Sequence, residues 1–129
     1  MIFGIGQDIC DSNRIEATLN RFGDRFKNRI YTHMEVQKCD SRKNSADSYA
    51  RRFAAKEACS KALGTGFRKG VFYKDIEVVN LKSGKPTIVL TGGALEQFRL
   101  VTKNDKSAKI EVSLTDDFKL AMAIVIISN

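Results

Sequence analysis

The run from Asn44 to Leu63 constrains the fold of this chain more than any other segment, because it predicts a single long helix. Five alanines fill its body between Ala50 and Ala62, and Gly64, the residue type that most often ends a helix, follows directly. Alanine side chains are short, so the backbone of another element can approach such a helix closely. The sequence therefore predicts that another element packs tightly against it.

Hydrophobic periodicity places the other elements before and after this helix. A buried strand is predicted over Ile2–Ile9 and a helix over Ser12–Phe26, and a T-x-x-E capping box opens a further helix at Thr32. Later segments predict two hairpins and a helix: Ile76–Leu81 with Pro86–Thr91, then Gly93–Val101, then Ile110–Thr115 with Lys119–Ile127, turning at Asp116-Asp117. The last strand is apolar on both faces, which predicts a central position. This order indicates one α+β domain, residues 1–129, with a largely antiparallel sheet packed against the long helix.

Composition narrows the class of protein. The chain has 43% hydrophobic and 29% charged residues, a soluble globular balance, and no apolar run long enough for a membrane helix. The N-terminus lacks the basic start of a signal peptide. Three cysteines, odd in number and never spaced as CxxC, favour a reducing cytoplasm over a disulfide scaffold or a zinc site. The single histidine, His33, is expected in the exposed first turn of a helix, which argues against a Ser-His-Asp triad.

The charge of the chain is its first positive indication of function. Residues 38–74 contain ten basic and three acidic side chains, a net charge of +7 that equals the net charge of the whole chain. Such a surface attracts nucleic acid, an anionic membrane, a phosphorylated cofactor or an acidic protein. A solvated helix face is the plain structural alternative.

Two carboxylates are the candidate catalytic centre. Asp8 ends the first strand, where it either caps the following helix or binds a cation. Glu57 lies four residues before Lys61 on the long helix, where the two side chains either form a weak ion pair or serve a ligand. Two carboxylates without a nearby His or Cys suit Mg²⁺, which also takes water and substrate phosphate oxygens. Three nearby positive charges would neutralise those phosphates: Arg52, Lys56 and Lys61. The loop Gly64-Thr65-Gly66 has a backbone able to approach a nucleotide-like ligand closely.

These motifs make the chain resemble a known enzyme family. The matching blocks are Gly4-Ile5-Gly6-Gln7-Asp8-Ile9, Arg14-Ile15, the run from Arg52 to Gly66 (RFAAKEACSKALGTG), Asp75–Val78, Gly84-Lys85-Pro86 and Val112–Thr115. In this order they resemble the holo-acyl-carrier-protein synthases, the small single-domain 4′-phosphopantetheinyl transferases. The resemblance implies transfer of phosphopantetheine from coenzyme A to a serine of apo acyl carrier protein, with release of adenosine 3′,5′-bisphosphate. It also implies a homotrimer with active sites between subunits, and fatty-acid synthesis as the default role.

The resemblance assigns roles to individual residues. Asp8 and Glu57 would hold Mg²⁺, and Glu57 and Lys61 would be catalytic; a metal-bound water, Glu57 and Lys61 all stay open as the general base. The residues expected to bind coenzyme A are Arg52, Lys56, Ser60, Lys61, Gly64, Thr65, Gly66, Lys85 and Pro86. Because acyl carrier proteins are acidic, Arg14, Arg21 and Arg25 are the expected docking contacts. One position departs from the family pattern: Asp116 stands where the family often has a histidine, and we expect it to contact backbone amides or solvent beside a turn rather than to act as the base.

Two other functions agree with parts of this sequence. A basic nucleic-acid-binding domain agrees with the charge, but the aromatic residues do not alternate with the basic ones as a stacking surface requires. A non-catalytic carrier-protein or nucleotide-binding module would keep the fold without the reaction. The expectation is therefore a cytoplasmic transferase with no nucleic-acid or membrane partner.

Overall fold

The helix predicted over Asn44–Leu63 runs over Ser45–Ala62 in the computed structural model, which describes all residues from Met1 to Asn129. In chain order the elements are β1 (Ile2–Asp11), α1 (Ser12–Phe22), α2 (Asp24–Ile30), α3 (His33–Asp40), α4 (Ser45–Ala62), a 3₁₀ turn (Tyr73–Asp75), β2 (Ile76–Asn80), β3 (Pro86–Leu90), α5 (Gly92–Val101), β4 (Lys109–Asp117) and β5 (Leu120–Ser128). None of the helices is both long and apolar enough to cross a membrane.

The strands form two antiparallel sheets rather than one. β1, β5 and β4 make a three-stranded sheet in that order, so the prediction that the last strand is central is confirmed. Asp8 pairs with Ala123, and Thr115 pairs with Met122, across β5. β2 and β3 form a separate hairpin. The α+β class with antiparallel sheets is therefore confirmed.

One face of the three-stranded sheet packs on α4. The buried residues of β5 are every second residue from Ala121 to Ile127, and small side chains dominate the facing side of α4. On β1 the residues nearest α4 include Gly4 and Gly6, each in contact with a carbonyl group of the helix. The close approach predicted from the alanines is confirmed, and the glycines serve close packing.

The opposite face of the same sheet is apolar and exposed. Large hydrophobic side chains of β1 and β5 lie open on it: Ile5, Ile9, Leu120, Met122 and Ile124. The prediction that β1 is a buried strand is therefore wrong for this face within one chain. Alternation explains the outcome, because a strand buries only the side chains that point toward the helix.

Two turns differ from the sequence prediction. The helix predicted over Ser12–Phe26 breaks at Gly23, whose φ of 56° lies in the left-handed region. The second hairpin turns at Phe118 and Lys119, both with positive φ, and not at Asp116-Asp117, because Asp117 still pairs with Leu120. The capping box at Thr32 is confirmed, with His33 exposed in the first turn.

Candidate active site

Asp8 and Lys61 meet where β1 crosses α4. The Lys61 Nζ donates to Asp8 Oδ1 at 3.0 Å and to the Gln7 carbonyl at 3.1 Å. Neither plain structural alternative holds: Asp11, not Asp8, caps α1 by accepting from the Asn13 amide, and Lys61 pairs with Asp8 rather than with Glu57. The lysine side chain is 53% exposed, so its ammonium group can reach a ligand in solvent.

Glu57 lies on α4 one turn before Lys61 and is held by a tyrosine. The Tyr73 hydroxyl donates to Glu57 Oε1 at 2.8 Å. Burial raises the pKa of Tyr73 well above its usual range, and the hydrogen bond and negative charge of Glu57 add to this effect, with a smaller contribution from Asp8. Burial also raises the pKa of the Cys10 thiol to about 11, and both carboxylates add to that shift. Asp8 and Glu57 therefore act on the same small region.

A cleft adjoins Asp8 and Lys61. It has a volume of about 400 Å³ and lies against the exposed face of the three-stranded sheet. Its walls are formed by Gln7, Asp8, Ile9, Lys61, Ser113, Thr115, Met122, Ala123 and Ile124. The cleft thus joins a carboxylate and a lysine to two hydroxyl side chains and to the apolar sheet face.

The donor set around Asp8 and Glu57 suits a magnesium ion whose shell is completed by other molecules. The structure contains no cluster of three His, Cys, Asp or Glu side chains that could hold a metal without help. Lys61 occupies only Oδ1 of Asp8 and Tyr73 only Oε1 of Glu57, which leaves the second oxygen of each carboxylate without a protein donor. Two hard oxygen ligands, with water and phosphate oxygens added, are the usual shell of Mg²⁺.

Lys56 is not placed as predicted. Its side chain is fully buried, and its Nζ donates to Glu35 Oε1 at 2.7 Å and to the carbonyl groups of Tyr73 and Ile76. Burial lowers the pKa of Lys56, and Glu35 opposes that shift. The prediction that Lys56 neutralises a phosphate is therefore wrong, because this ammonium group has three protein acceptors and no access to solvent.

Ser60 is also buried rather than open to a cleft. It is 1% exposed, and its hydroxyl donates to the Glu57 carbonyl within α4. In this structure its hydroxyl cannot contact coenzyme A. Its observed contribution is to the last turns of the helix that carries Glu57 and Lys61.

Arg52 belongs to a second cleft. It is almost buried, and its two terminal nitrogens donate to Ser48 Oγ and Asn80 Oδ1, while its Nε has no partner. The cleft holds about 240 Å³ and is lined by Arg42, Arg51, Arg52, Val78, Asn80, Gly84, Pro86 and Leu114. Three arginines and the predicted Pro86 therefore come together, away from Asp8. Neighbouring Lys85 lies in the β2–β3 turn, 3.9 Å from Glu111.

The glycine loop after α4 has an open backbone. Gly64 and Gly66 have φ angles of 84° and 60°, and a Cβ on either would meet nothing within 4 Å. Thr65 between them turns its hydroxyl to the Gly66 carbonyl. The backbone of this loop is therefore accessible, and its contact with coenzyme A stays a prediction.

Comparison with known proteins identifies the family. Residues 4–123 match the sequence model of the 4′-phosphopantetheinyl transferase superfamily. A holo-[acyl-carrier-protein] synthase of Parvibaculum lavamentivorans is 58% identical over 128 residues, which cover 99% of this chain and 96% of that protein. The chain belongs to the holo-[acyl-carrier-protein] synthase family. The resemblance seen in the sequence and the prediction of a phosphopantetheinyl transferase enzyme are both confirmed.

Solved structures of the holo-[acyl-carrier-protein] synthase family share this fold. The Neisseria meningitidis synthase has a TM-score of 0.86 at 32% identity, with full coverage of both chains. The Helicobacter pylori synthase, solved in complex with coenzyme A, has a TM-score of 0.81 at 31% identity and covers 96% of this chain and 99% of that one.

The arginines expected to dock a carrier protein are exposed but lie on two helices. Arg14 and Arg21 are on α1, and Arg25 is on α2 because the chain breaks at Gly23. Arg25 lines a shallow groove with Phe22, Phe26 and Arg29. The structure therefore presents an open basic surface with an apolar component.

Asp116, which departs from the family's usual histidine, has a partner that the sequence did not predict. Its Oδ2 lies 3.0 Å from the Arg51 Nη1, and the side chain is 46% exposed. It lies on β4 beside the hairpin turn and is open to solvent, one of the two surroundings expected for it, but its carboxylate also makes an ion pair with Arg51. No local sequence signal could have predicted a contact between residues 65 positions apart.

Two residues of the site region were missed altogether. Tyr73 lies in the 3₁₀ turn before β2, and Glu35 lies in the capping box, where its structural role was the only one expected. Periodicity gives no information on Tyr73, since it belongs to no long element. No sequence signal pointed to Glu35 as the partner of Lys56, because the burial of that lysine is seen only in the tertiary structure.

Proposed function

We propose that this chain transfers 4′-phosphopantetheine from coenzyme A to a serine of apo acyl carrier protein in a magnesium-dependent reaction that releases adenosine 3′,5′-bisphosphate. The observation that carries the proposal is that Asp8 and Glu57, from two different elements, each keep one unengaged oxygen. Asp8 also pairs with the exposed Lys61, and these two residues line an open cleft. Family membership and the coenzyme A complex of the Helicobacter pylori relative support it.

Asp8 and Glu57 would hold the Mg²⁺ ion. When bound there, the ion supplies charge stabilisation to the pyrophosphate of coenzyme A. Lys61, held between Asp8 and the Gln7 carbonyl beside the cleft, would bind a phosphate oxygen as a point charge. A metal-bound water, Glu57, and Lys61 after loss of its own proton all stay open as the acceptor of the proton of the attacking serine.

The arginine cleft would bind another anionic part of coenzyme A. Arg42, Arg51, Arg52 and Pro86 line it, and Lys85 precedes Pro86 in the chain. Three positively charged side chains around one cleft suit a phosphate group. The Gly64–Gly66 loop would take a less charged part of the same molecule.

A homotrimer would cover the exposed apolar face of the sheet. This face, formed by side chains of β1 and β5 such as Ile9 and Met122, continues into the cleft beside Asp8. An association through it would remove apolar surface from water and place a partner subunit at the cleft. Sedimentation equilibrium checks the trimer, and an active monomer at assay concentration would contradict it.

The exposed arginines Arg14, Arg21 and Arg25 would dock the acidic carrier protein. Reversal of Arg14 and Arg21 to glutamate should raise KM for the carrier protein and leave KM for coenzyme A nearly unchanged, with Arg99→Glu on α5 as a control. Added salt should weaken the wild-type interaction, because exposed charges are screened over ~10 Å at 0.1 M. Equal losses toward both substrates would contradict docking by this surface.

A mass shift of one phosphopantetheine on apo carrier protein tests the reaction itself. Glu57→Gln keeps the shape of the side chain and removes its charge, so turnover at low Mg²⁺ should fall by orders of magnitude, as it should for Asp8→Ala. Glu96→Gln, at an exposed position of α5, is the matched control. Unmodified carrier protein with the wild-type enzyme would instead indicate a non-catalytic binding module.

We propose fatty-acid synthesis as the physiological role and the cytoplasm as the location. All three cysteines are free and buried, which agrees with a reducing compartment. Modification of the fatty-acid carrier protein in preference to polyketide or peptide carriers tests the role.

A further inference from the structure

The Tyr73 hydroxyl is directed at Glu57 by an unusually constrained ring. The ring stacks on Phe67 with centroids 3.7 Å apart and an interplanar angle of 18°, and it also stacks on Phe53 with centroids 5.7 Å apart. Two stacked aromatic neighbours restrict the rotation of the tyrosine away from α4. Its hydroxyl therefore remains within 2.8 Å of Glu57 Oε1 without a flexible side chain to order.

The backbone of Tyr73 is fixed by the buried ion pair. Lys56, next to Glu57 on α4, donates to the Tyr73 carbonyl at 3.0 Å. Glu35 receives the same ammonium group and also accepts from the Val78 amide on β2. The turn that carries Tyr73 is thus tied to the helix at the residue adjacent to the carboxylate that its hydroxyl contacts.

We infer that Tyr73 is a positioning residue for Glu57, holding Oε1 by a hydrogen bond so that Oε2 is presented to a divalent cation. This inference rests on the proposed function of the same site. A carboxylate with one oxygen fixed loses less conformational freedom when the other oxygen binds a metal, and partners of this kind typically contribute about 10- to 100-fold to metal affinity. Lys56 and Glu35 contribute by fixing the turn that carries Tyr73. The buried pair therefore supports the site indirectly and without contacting a phosphate.

The test compares two variants that each lose only one hydroxyl. Tyr73→Phe keeps the stacked ring and removes the donor to Glu57, whereas Tyr49→Phe removes a hydroxyl that donates to Asp40 Oδ1 at 2.6 Å, a carboxylate outside this site. The affinity of the full chain for Mn²⁺ is measured by electron paramagnetic resonance with coenzyme A present, after subtraction of the binding by coenzyme A alone. Tyr73→Phe should bind Mn²⁺ about 10-fold more weakly or worse, and Tyr49→Phe should match the wild type.

Kinetics provide a second measurement, and its result would not change if the role of Tyr73 were purely structural. In Tyr73→Phe the Mg²⁺ concentration for half-maximal rate should rise by the same factor as the Mn²⁺ dissociation constant, while kcat at saturating Mg²⁺ is largely retained. Equal Mn²⁺ affinity in Tyr73→Phe and Tyr49→Phe, with binding abolished by Glu57→Gln, would overturn this inference and leave the metal site standing. Wild-type Mn²⁺ affinity in Glu57→Gln would overturn the metal site and the positioning role together.

Discussion

Gly6 of β1 lies against the Ala58 carbonyl of α4 so closely that a Cβ built on the glycine would come within 1.9 Å of the oxygen. The Ala62 amide nitrogen would be 2.7 Å from the same Cβ. Both neighbours are backbone atoms of a helix and cannot rotate away. This contact sets the height of β1 above α4, and with it the distance at which Asp8, two residues further on, faces Lys61.

Gly6→Ala should therefore lose both stability and activity. The helix backbone has to move, and overpacking of this kind costs about 1–3 kcal/mol or more. Displacement of β1 also moves Asp8, so turnover should fall more than stability alone explains. Urea unfolding and the carrier-protein assay measure the two effects.

Gly70→Ala is the control for the loss of a glycine. Its φ of 81° makes a side chain strained, but a Cβ there meets nothing within 4 Å. It should destabilise the chain and leave kcat intact. If Gly6→Ala resembles Gly70→Ala in kcat, the link between this contact and Asp8 is wrong.

Lys56→Met should be among the most destabilising single changes in the chain. It leaves the buried Glu35 carboxylate without its cation, a loss of about 3–5 kcal/mol when one partner of a buried pair is removed. Lys119→Met breaks the exposed pair with Asp47 and should cost at most about 1 kcal/mol. Urea denaturation compares the two, and a double variant Lys56→Met/Glu35→Leu should recover part of the loss. Similar stability for the two lysine variants would contradict the structural role of Lys56.

Asp116→Asn should keep most of the activity. The carboxylate is half exposed and pairs with Arg51, so its removal frees that arginine for the arginine cleft and takes a negative charge away from it. Coenzyme A should bind equally well or more tightly, as measured by calorimetry, with neighbouring Asp117→Asn as the control. A fall in kcat on the order of 100-fold, in a folded variant that still binds coenzyme A, would place Asp116 in proton transfer.

Stability should fall steeply above about pH 9. Burial raises the pKa of Cys59 from 9.0 to about 12, and the other two cysteines and the three tyrosines shift in the same direction. Between pH 9.0 and about 12 the folded Cys59 thiol keeps a proton that the unfolded one loses, so its contribution is complete below pH 9.0 and is lost as the pH rises.

The lowered pKa of Lys56 has the opposite effect on stability as the pH rises, but Lys56 is only one group. Urea titrations with a reducing agent at pH 8, 9 and 10 measure the slope. Cys59→Ala should make the fall of the free energy of unfolding with pH less steep, by up to about 1.4 kcal/mol per pH unit. An unchanged slope would contradict the contribution of Cys59.

Much of the site was predictable because its signals are local or form uninterrupted motifs. Helix α4 follows from its alanines and its glycine stop, and Asp8, Glu57 and the Gly64–Gly66 loop stand out in the blocks that carry the family resemblance. The central position of β5 follows from its unbroken apolar run. These features depend on neighbours within a few residues, which the sequence displays directly.

Only the tertiary structure decided which basic side chains are buried and which lie open beside the cleft. Lys56 and Lys61 lie five residues apart on one helix, and nothing in their local sequence separates them. Lys56 points to the side covered by α3 and the turn before β2, where burial forces it to pair with Glu35, whereas Lys61 points past β1 into solvent beside Asp8. The same holds for Tyr73 with Glu57 and for Asp116 with Arg51. The sequence determined the elements and the chemistry of their side chains, but packing between distant segments determined which of those side chains meet, because burial is a property of the neighbours that a residue acquires on folding.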